Sequence, residues 1–186
     1  MRGLDIALAQ VVLSASSGYS LYWGSDLKFV RIAFGLCLIN GVVGILDYGL
    51  SIKRRITRVR ELRDYVDFLD RVSRKSYTPL VAAEALVFIG HDKKSSLSIL
   101  VYPFLYIVLT ELLEERVNQD KNIVFVFNLN SICYSILLSK DYLFGGTMLL
   151  LNMAAFWMKQ HSRTKYFLTI GVANLAALQY FKQLFD

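Results

Sequence analysis

A carboxylate set in an apolar run is the residue type most able to do chemistry in this chain, and Glu84 is one, flanked by Ala82, Ala83, Ala85 and Leu86. Holding an acid at the centre of a membrane helix costs about 2.5–3.5 kcal/mol on insertion scales, so an acid kept there needs a reason. Glu84 has three functional roles open to it. It can accept a proton, pair with a base such as Arg31 or line a polar path, but the favoured reading is that its segment is not truly in lipid or that it bonds a neighbouring helix. Asp47, near the end of the run 29–50, is a second intramembrane candidate. Asn40, Asn128, Asn130, Asn152, Asn174 and Gln179 add amides scattered through other apolar runs. Converging amides would make a small-molecule pocket; amides bonding across helices would act as glue, which is the expected role.

Other chemistry finds little support. His91 and His161 fall at opposite ends of the arrangement derived below, too far apart to share a metal, so no metal site is expected. Cys37 and Cys133 lie inside apolar runs, where thiols pack as small apolar groups, and neither a disulfide framework nor zinc is implied. The nucleophile-elbow, zinc-protease and phosphate-loop patterns are missing, as is an Asp-His-Cys-Cys transferase signature. No catalytic residue and no cofactor is therefore assigned.

These residues sit in a chain unlike a soluble domain. Of its 186 residues, 55% are hydrophobic and 19% charged, against about 45–50% and about 25% in soluble domains. The apolar residues cluster into segments at about 4–23, 29–50, 77–91, 97–113, 123–139, 142–158 and 166–182. A bilayer accommodates that many apolar runs better than one small core does. Only the first two reach the ~20 residues that cross a ~30 Å hydrocarbon layer untilted. The later ones, about 15–17 residues long, cover roughly 22–26 Å, which suits a thin membrane such as the endoplasmic reticulum. The segment 77–91 is the weakest, being short and holding Glu84; it spans, re-enters or is buried among its neighbours. The first segment has the layout of a signal peptide but is read as a membrane helix interrupted by Asp5 and Gln10.

The predicted fold is therefore all-α, a single polytopic bundle over 1–186 with about seven (six to seven) transmembrane segments. With seven spans and a cytoplasmic N-terminus, the inner loops hold Arg2, the 53–75 cluster, Arg116, Lys121, Lys159, Arg163 and Lys165. The outer side holds only Lys28, Lys93, Lys94, Lys140 and Lys182. Positive charge favours the cytoplasmic side, so the C-terminus is expected to be lumenal. Ala33, Cys37 and Gly41, and again Ala173 and Ala177, recur every four residues and let helices approach closely.

The net charge of +6 comes mostly from the stretch 51–76. There Ile52, Ile56, Val59, Leu62, Val66 and Leu69 trace one apolar stripe, and Lys53, Arg54, Arg55, Arg58, Arg60 and Arg63 line the other face. This predicts a basic amphipathic cytoplasmic helix, with Pro79 as the break before the next segment. Such a helix contacts anionic lipid or a partner's acidic surface, or is simply a solvated loop. Its basicity has a membrane explanation, so nucleic acid is not the expected partner. The leading expectation is a membrane protein acting by contact, as an accessory or scaffolding subunit or a membrane-shaping protein. Its partners would be lipids and a protein, or a second copy of the chain. A small transporter or channel using Glu84, and an intramembrane enzyme on a lipid or lipid-linked substrate, are the alternatives.

Overall fold

The computed structural model describes residues 2–52, 59–88, 100–101, 104–105, 108–109, 129, 132–133, 136–137, 140 and 142–185. Nearly all the described residues are helical, with no strand among them. The long helices are α1 (Arg2–Trp23), α2 (Phe29–Ile52), α3 (Val59–Phe88), α4 (Tyr142–His161) and α5 (Arg163–Phe185). Leu4–Trp23 and Phe29–Asp47 are long and apolar enough to cross a bilayer, and Tyr142–Ala155 is a shorter apolar stretch. About two thirds of the segments 97–113 and 123–139 falls outside the described residues, and Lys53, Arg54, Arg55, Arg58, His91, Asn128 and Asn130 lie outside them altogether.

Helix directions follow from which residues meet. Gly41 of α2 lies against Gln10 and Ser14 of α1, and Gly18 of α1 lies against Leu38, so α1 and α2 are antiparallel. Gly24 makes the turn between them: its N–H bonds the Ser20 carbonyl at 2.9 Å. A β-carbon on Gly24 would come within 2.8 Å of that same oxygen, which accounts for glycine directly after the helix. Ser73 of α3 meets the Leu36 carbonyl, and Glu84 meets Phe29, so α3 runs back along α2. Gly171 of α5 faces Ser16 and Val12, while Lys182 lies over Trp23, so α5 is parallel to α1. Met158 meets Thr169 and Gly145 meets Tyr180, which makes α4 antiparallel to α5.

Two expectations change. Pro79 does not end a helix; α3 runs through it without a break from Val59 to Phe88. Proline forfeits one backbone hydrogen bond, but its neighbours Tyr77, Leu80, Val81, Ala82 and Ala83 are all buried, and their packing outweighs that loss. As a consequence, the described part of the amphipathic stretch is the first half of α3 and not a separate helix. Its stripe points inward as the spacing predicts, with Val66 and Leu69 buried and Arg63 exposed. Beyond Ser76 the pattern changes: Leu80 to Ala85 are buried all round the helix.

The small-residue series on α2 faces inward, with Ala33, Cys37, Gly41 and Gly44 all buried. A methyl group at Gly41 would sit 3.0 Å from the Gln10 carbonyl and against the Ser14 hydroxyl, whereas Gly35 has open space around it. Gly41→Ala is therefore expected to lower stability by about 1–3 kcal/mol through overpacking. Gly35→Ala gains about 0.5–1 kcal/mol from helix propensity. Thermal unfolding of the two variants in detergent measures both, and equal effects would refute the close α1–α2 seam.

Candidate functional site

The mostly apolar interior of the bundle also holds a set of polar groups. Gln10, Ser16, Ser17, Ser20, Asn40, Asp70, Ser73, Ser76, Glu84, Asn152 and Asn174 are buried, while Leu8, Val11, Ile32, Ile39, Leu46, Leu143, Leu150, Val172 and Leu175 are exposed. On α1 the sequence spacing decides this directly: Ser17 and Ser20 share one face, and Leu4, Leu8 and Val11 share another.

Glu84 lies at the end of this interior nearest Trp23. It is 3% exposed. Its Oε2 accepts the backbone N–H of Phe29 and, at 3.2 Å, that of Val30. These are the first amides of α2, which have no partner within their own helix. An anionic oxygen at that point also meets the positive end of the helix dipole. Glu84 thus caps α2 from another helix. Arg31, the base proposed for it, is exposed and donates instead to the Ser25 carbonyl at 3.3 Å. Glu84 meets the Phe29 and Val30 amides instead because α3 comes alongside the start of α2.

The amides act in pairs with hydroxyls. Asn174 Nδ2 donates to Ser17 Oγ at 2.8 Å, and Ser20 Oγ donates to the Asn174 carbonyl at 3.3 Å, joining α1 to α5. Thr78 Oγ1 donates to Asn152 Oδ1 at 3.1 Å, and Asn152 Nδ2 donates to the Met148 carbonyl at 2.9 Å, joining α3 to α4. Gln179 is exposed. Asp47 is half-buried, far from Glu84 along α2, and its Oδ1 is shielded without a hydrogen-bond partner. The structure does not bring the two carboxylates together. Among the described residues no group of three or more His, Cys, Asp or Glu could hold a metal.

A third feature was not singled out from the sequence. Arg163, the first residue of α5, bonds Asp67 and, at 3.4 Å, Asp70 on α3. Asp67 and Asp70 are three residues apart, so they share a helix face. That spacing was the available signal, but the partner lies far along the chain. Burial pulls the Arg163 guanidinium down, yet its bond to Asp67 and the nearby Asp70 charge outweigh this and hold its pKa above the ordinary value. A cation at a helix N-terminus opposes the dipole, and these two carboxylates offset it. Ser162 Oγ adds a cap, accepting the Lys165 N–H at 3.4 Å. Of the basic face, Arg63 is exposed and Arg60 lies in the first turn of α3.

Comparison with family models, with curated proteins and with solved structures finds no match.

Two outcomes follow from these contacts. Glu84→Leu leaves two buried amides unpaired and is expected to cost about 1–3 kcal/mol, whereas Glu84→Gln keeps an acceptor and costs less than half of that. Equal losses in chemical denaturation would show that capping is not the role. At the ion cluster, the Asp70 side chain is 3% exposed against 38% for Asp67. Solvent screens the Asp67 pair, so Asp70→Asn is expected to lower the melting temperature more than Asp67→Asn. The reverse order would place the working contact at the surface.

Proposed function

We propose that this chain is a polytopic helical membrane protein that works by contact, as an accessory or scaffolding subunit or a membrane-shaping protein, and not through an internal catalytic group. The observation that carries this reading is the apolar outward surface of the helices: Leu8, Val11, Ile32, Ile39, Leu46, Leu143, Leu150, Val172 and Leu175 are exposed, while Ser17, Ser20, Asn152 and Asn174 are buried within an otherwise apolar core. Water would disfavour such a surface, and lipid favours it. Glu84, the acid most suggestive of chemistry, is engaged in holding two helices together.

The helix directions support the seven-span arrangement. α5 runs parallel to α1, and α3 ends at the same end of the bundle at which α4 begins. An even number of crossings between Phe88 and Tyr142 fits that geometry. The end holding Arg2 and the α4–α5 turn carries Arg163 and Lys165, which supports a cytoplasmic N-terminus. Exposed aromatics mark both margins: Tyr19, Tyr22, Trp23 and Tyr142 at one end, Tyr65 and Trp157 at the other. On α4, Tyr142 and Trp157 are separated by roughly 22 Å of helix, which suits a thin bilayer such as that of the endoplasmic reticulum.

The contacting surface in this reading is the basic stretch Lys53, Arg54, Arg55, Arg58, Arg60 and Arg63, with anionic lipid or an acidic protein surface as its counterpart. Changing Arg54, Arg55 and Arg58 together to Glu is expected to abolish co-purification of the partner, or binding to vesicles containing phosphatidylserine, by at least tenfold. The melting temperature in detergent should stay within about 2 °C, a shift that corresponds to well under the cost of a buried defect. Undiminished binding by the triple variant would refute the assignment of this surface.

A further inference from the structure

The seam between α1 and α5 is tied on its inner side by polar bonds. There Asn174 donates to Ser17 at 2.8 Å, and Ser20 donates to the Asn174 carbonyl at 3.3 Å. Along the seam, Val12, Tyr19 and Trp23 share one face of α1, and Gly171, Leu175 and Lys182 share one face of α5. The two faces meet at both ends. A β-carbon on Gly171 would lie 3.4 Å from Val12, and the Lys182 ammonium lies 4.4 Å from the centre of the Trp23 ring. Val12, Tyr19, Trp23 and Leu175 nonetheless remain exposed. The outer side of the seam is therefore a shallow apolar groove with a cation at its head.

That head is built from hydrogen-bond donors. Trp23 packs edge-to-face with Tyr22 at 5.5 Å and against Tyr19 at 6.2 Å. The indole N–H, the two phenols and the half-buried Lys182 ammonium all have hydrogens to give. The Trp23 ring takes one side of the ammonium and leaves other hydrogens for an acceptor. The turn that follows Trp23 adds exposed Lys28 and Arg31, and Asp26 is the only carboxylate between Gly24 and Arg31. Such an excess of positive charge beside aromatic donors fits a phosphate. The groove below has the length of a lipid tail in one leaflet. From Lys182 to Gly171 is about 16 Å of helix, and half of a ~30 Å hydrocarbon core is about 15 Å.

We propose that the outer side of the α1–α5 seam holds one anionic phospholipid, with its phosphate at Lys182 and Trp23 and one acyl chain along Tyr19, Leu175 and Val12. This site rests on the reading of the chain as a membrane protein. It lies at the end of the bundle opposite the start of α3, and so is separate from the basic stretch 53–63.

Native mass spectrometry of the full chain in detergent with dioleoyl phosphatidylglycerol tests this. The wild-type chain is expected to retain one lipid. Lys182→Gln should bind it about tenfold more weakly, the scale of one charge-assisted hydrogen bond, and Lys182→Arg should restore binding. Leu175→Trp, which fills the groove below the head group, should weaken binding too. Equal retention by Lys182→Gln and the wild type overturns the proposal. The water-soluble head group glycerophosphoglycerol should not displace the lipid; displacement at equal concentration assigns the site to a free phosphodiester and overturns it as well. A lysine that only offsets the parallel carbonyl ends of α1 and α5 would leave the lipid-induced rise in melting temperature intact in Lys182→Gln. The proposal expects that rise to be lost. Carbonate extraction of membranes separates this site from the reading it rests on. A chain that resists carbonate but retains no lipid overturns the site alone, and a chain released by carbonate overturns the membrane reading with it.

Discussion

Glu84 accepts the first two amides of α2, and much of the arrangement follows from that contact. The beginning of a helix presents N–H groups that its own backbone cannot satisfy, and in an apolar medium no solvent satisfies them either. Lys28 and Phe29, where α2 begins, offer no side-chain acceptor for this. The oxygen comes instead from α3, which must therefore lie alongside α2 with Glu84 level with Phe29. Once that register is set, Ser73 falls opposite Leu36 and the stripe of Val66 and Leu69 turns inward. An acid that is costly in isolation thus gains its two partners only in the assembled bundle.

The other helices are held on the same principle, by polar groups paired across an apolar interior. Between helices in lipid the hydrophobic effect contributes little, because the tails are as apolar as leucine. Close packing and directional bonds must do more. Gly41 lets α1 and α2 approach until Gln10 and Ser14 are in contact with the α2 backbone. Asn174 with Ser17, and Thr78 with Asn152, then connect pairs of helices that are far apart in the chain. At the cytoplasm-facing end of the proposed arrangement, Arg163 links α3 to the start of α5, where solvent is close enough to temper the interaction. Directional bonds thus lie in the interior, and the ion cluster lies at the margin, where solvent screens it.

Among the described residues, the polar groups that stand out in the sequence serve packing. The acid is a cap, Asn152 bonds Thr78, the Asn174 nitrogen bonds Ser17, and the arginine at the α4–α5 turn is neutralised by two aspartates. What remains distinctive is the outward surface: apolar along the helices, aromatic at both margins, and basic near one end. Such a surface, with two helices long and apolar enough to cross a bilayer, is what supports the proposal of a membrane protein acting by contact.

The helical class, the inward small-residue face of α2 and the apolar stripe of α3 were legible in the residues themselves, since helical period places every third or fourth side chain on one face. Glu84 and the amides were legible as anomalies, because polar groups in apolar runs stand out without any knowledge of their neighbours. Their partners were not. Which backbone amides Glu84 would bond, that Asp67 and Asp70 would meet Arg163, and that Pro79 would sit inside an unbroken helix depend on residues distant in the chain. Local spacing determines which side of a helix is apolar; only the docking of one helix against another decides which orphaned polar group finds which partner. That is a property of relative position in three dimensions, and periodicity along one strand of sequence carries no record of it.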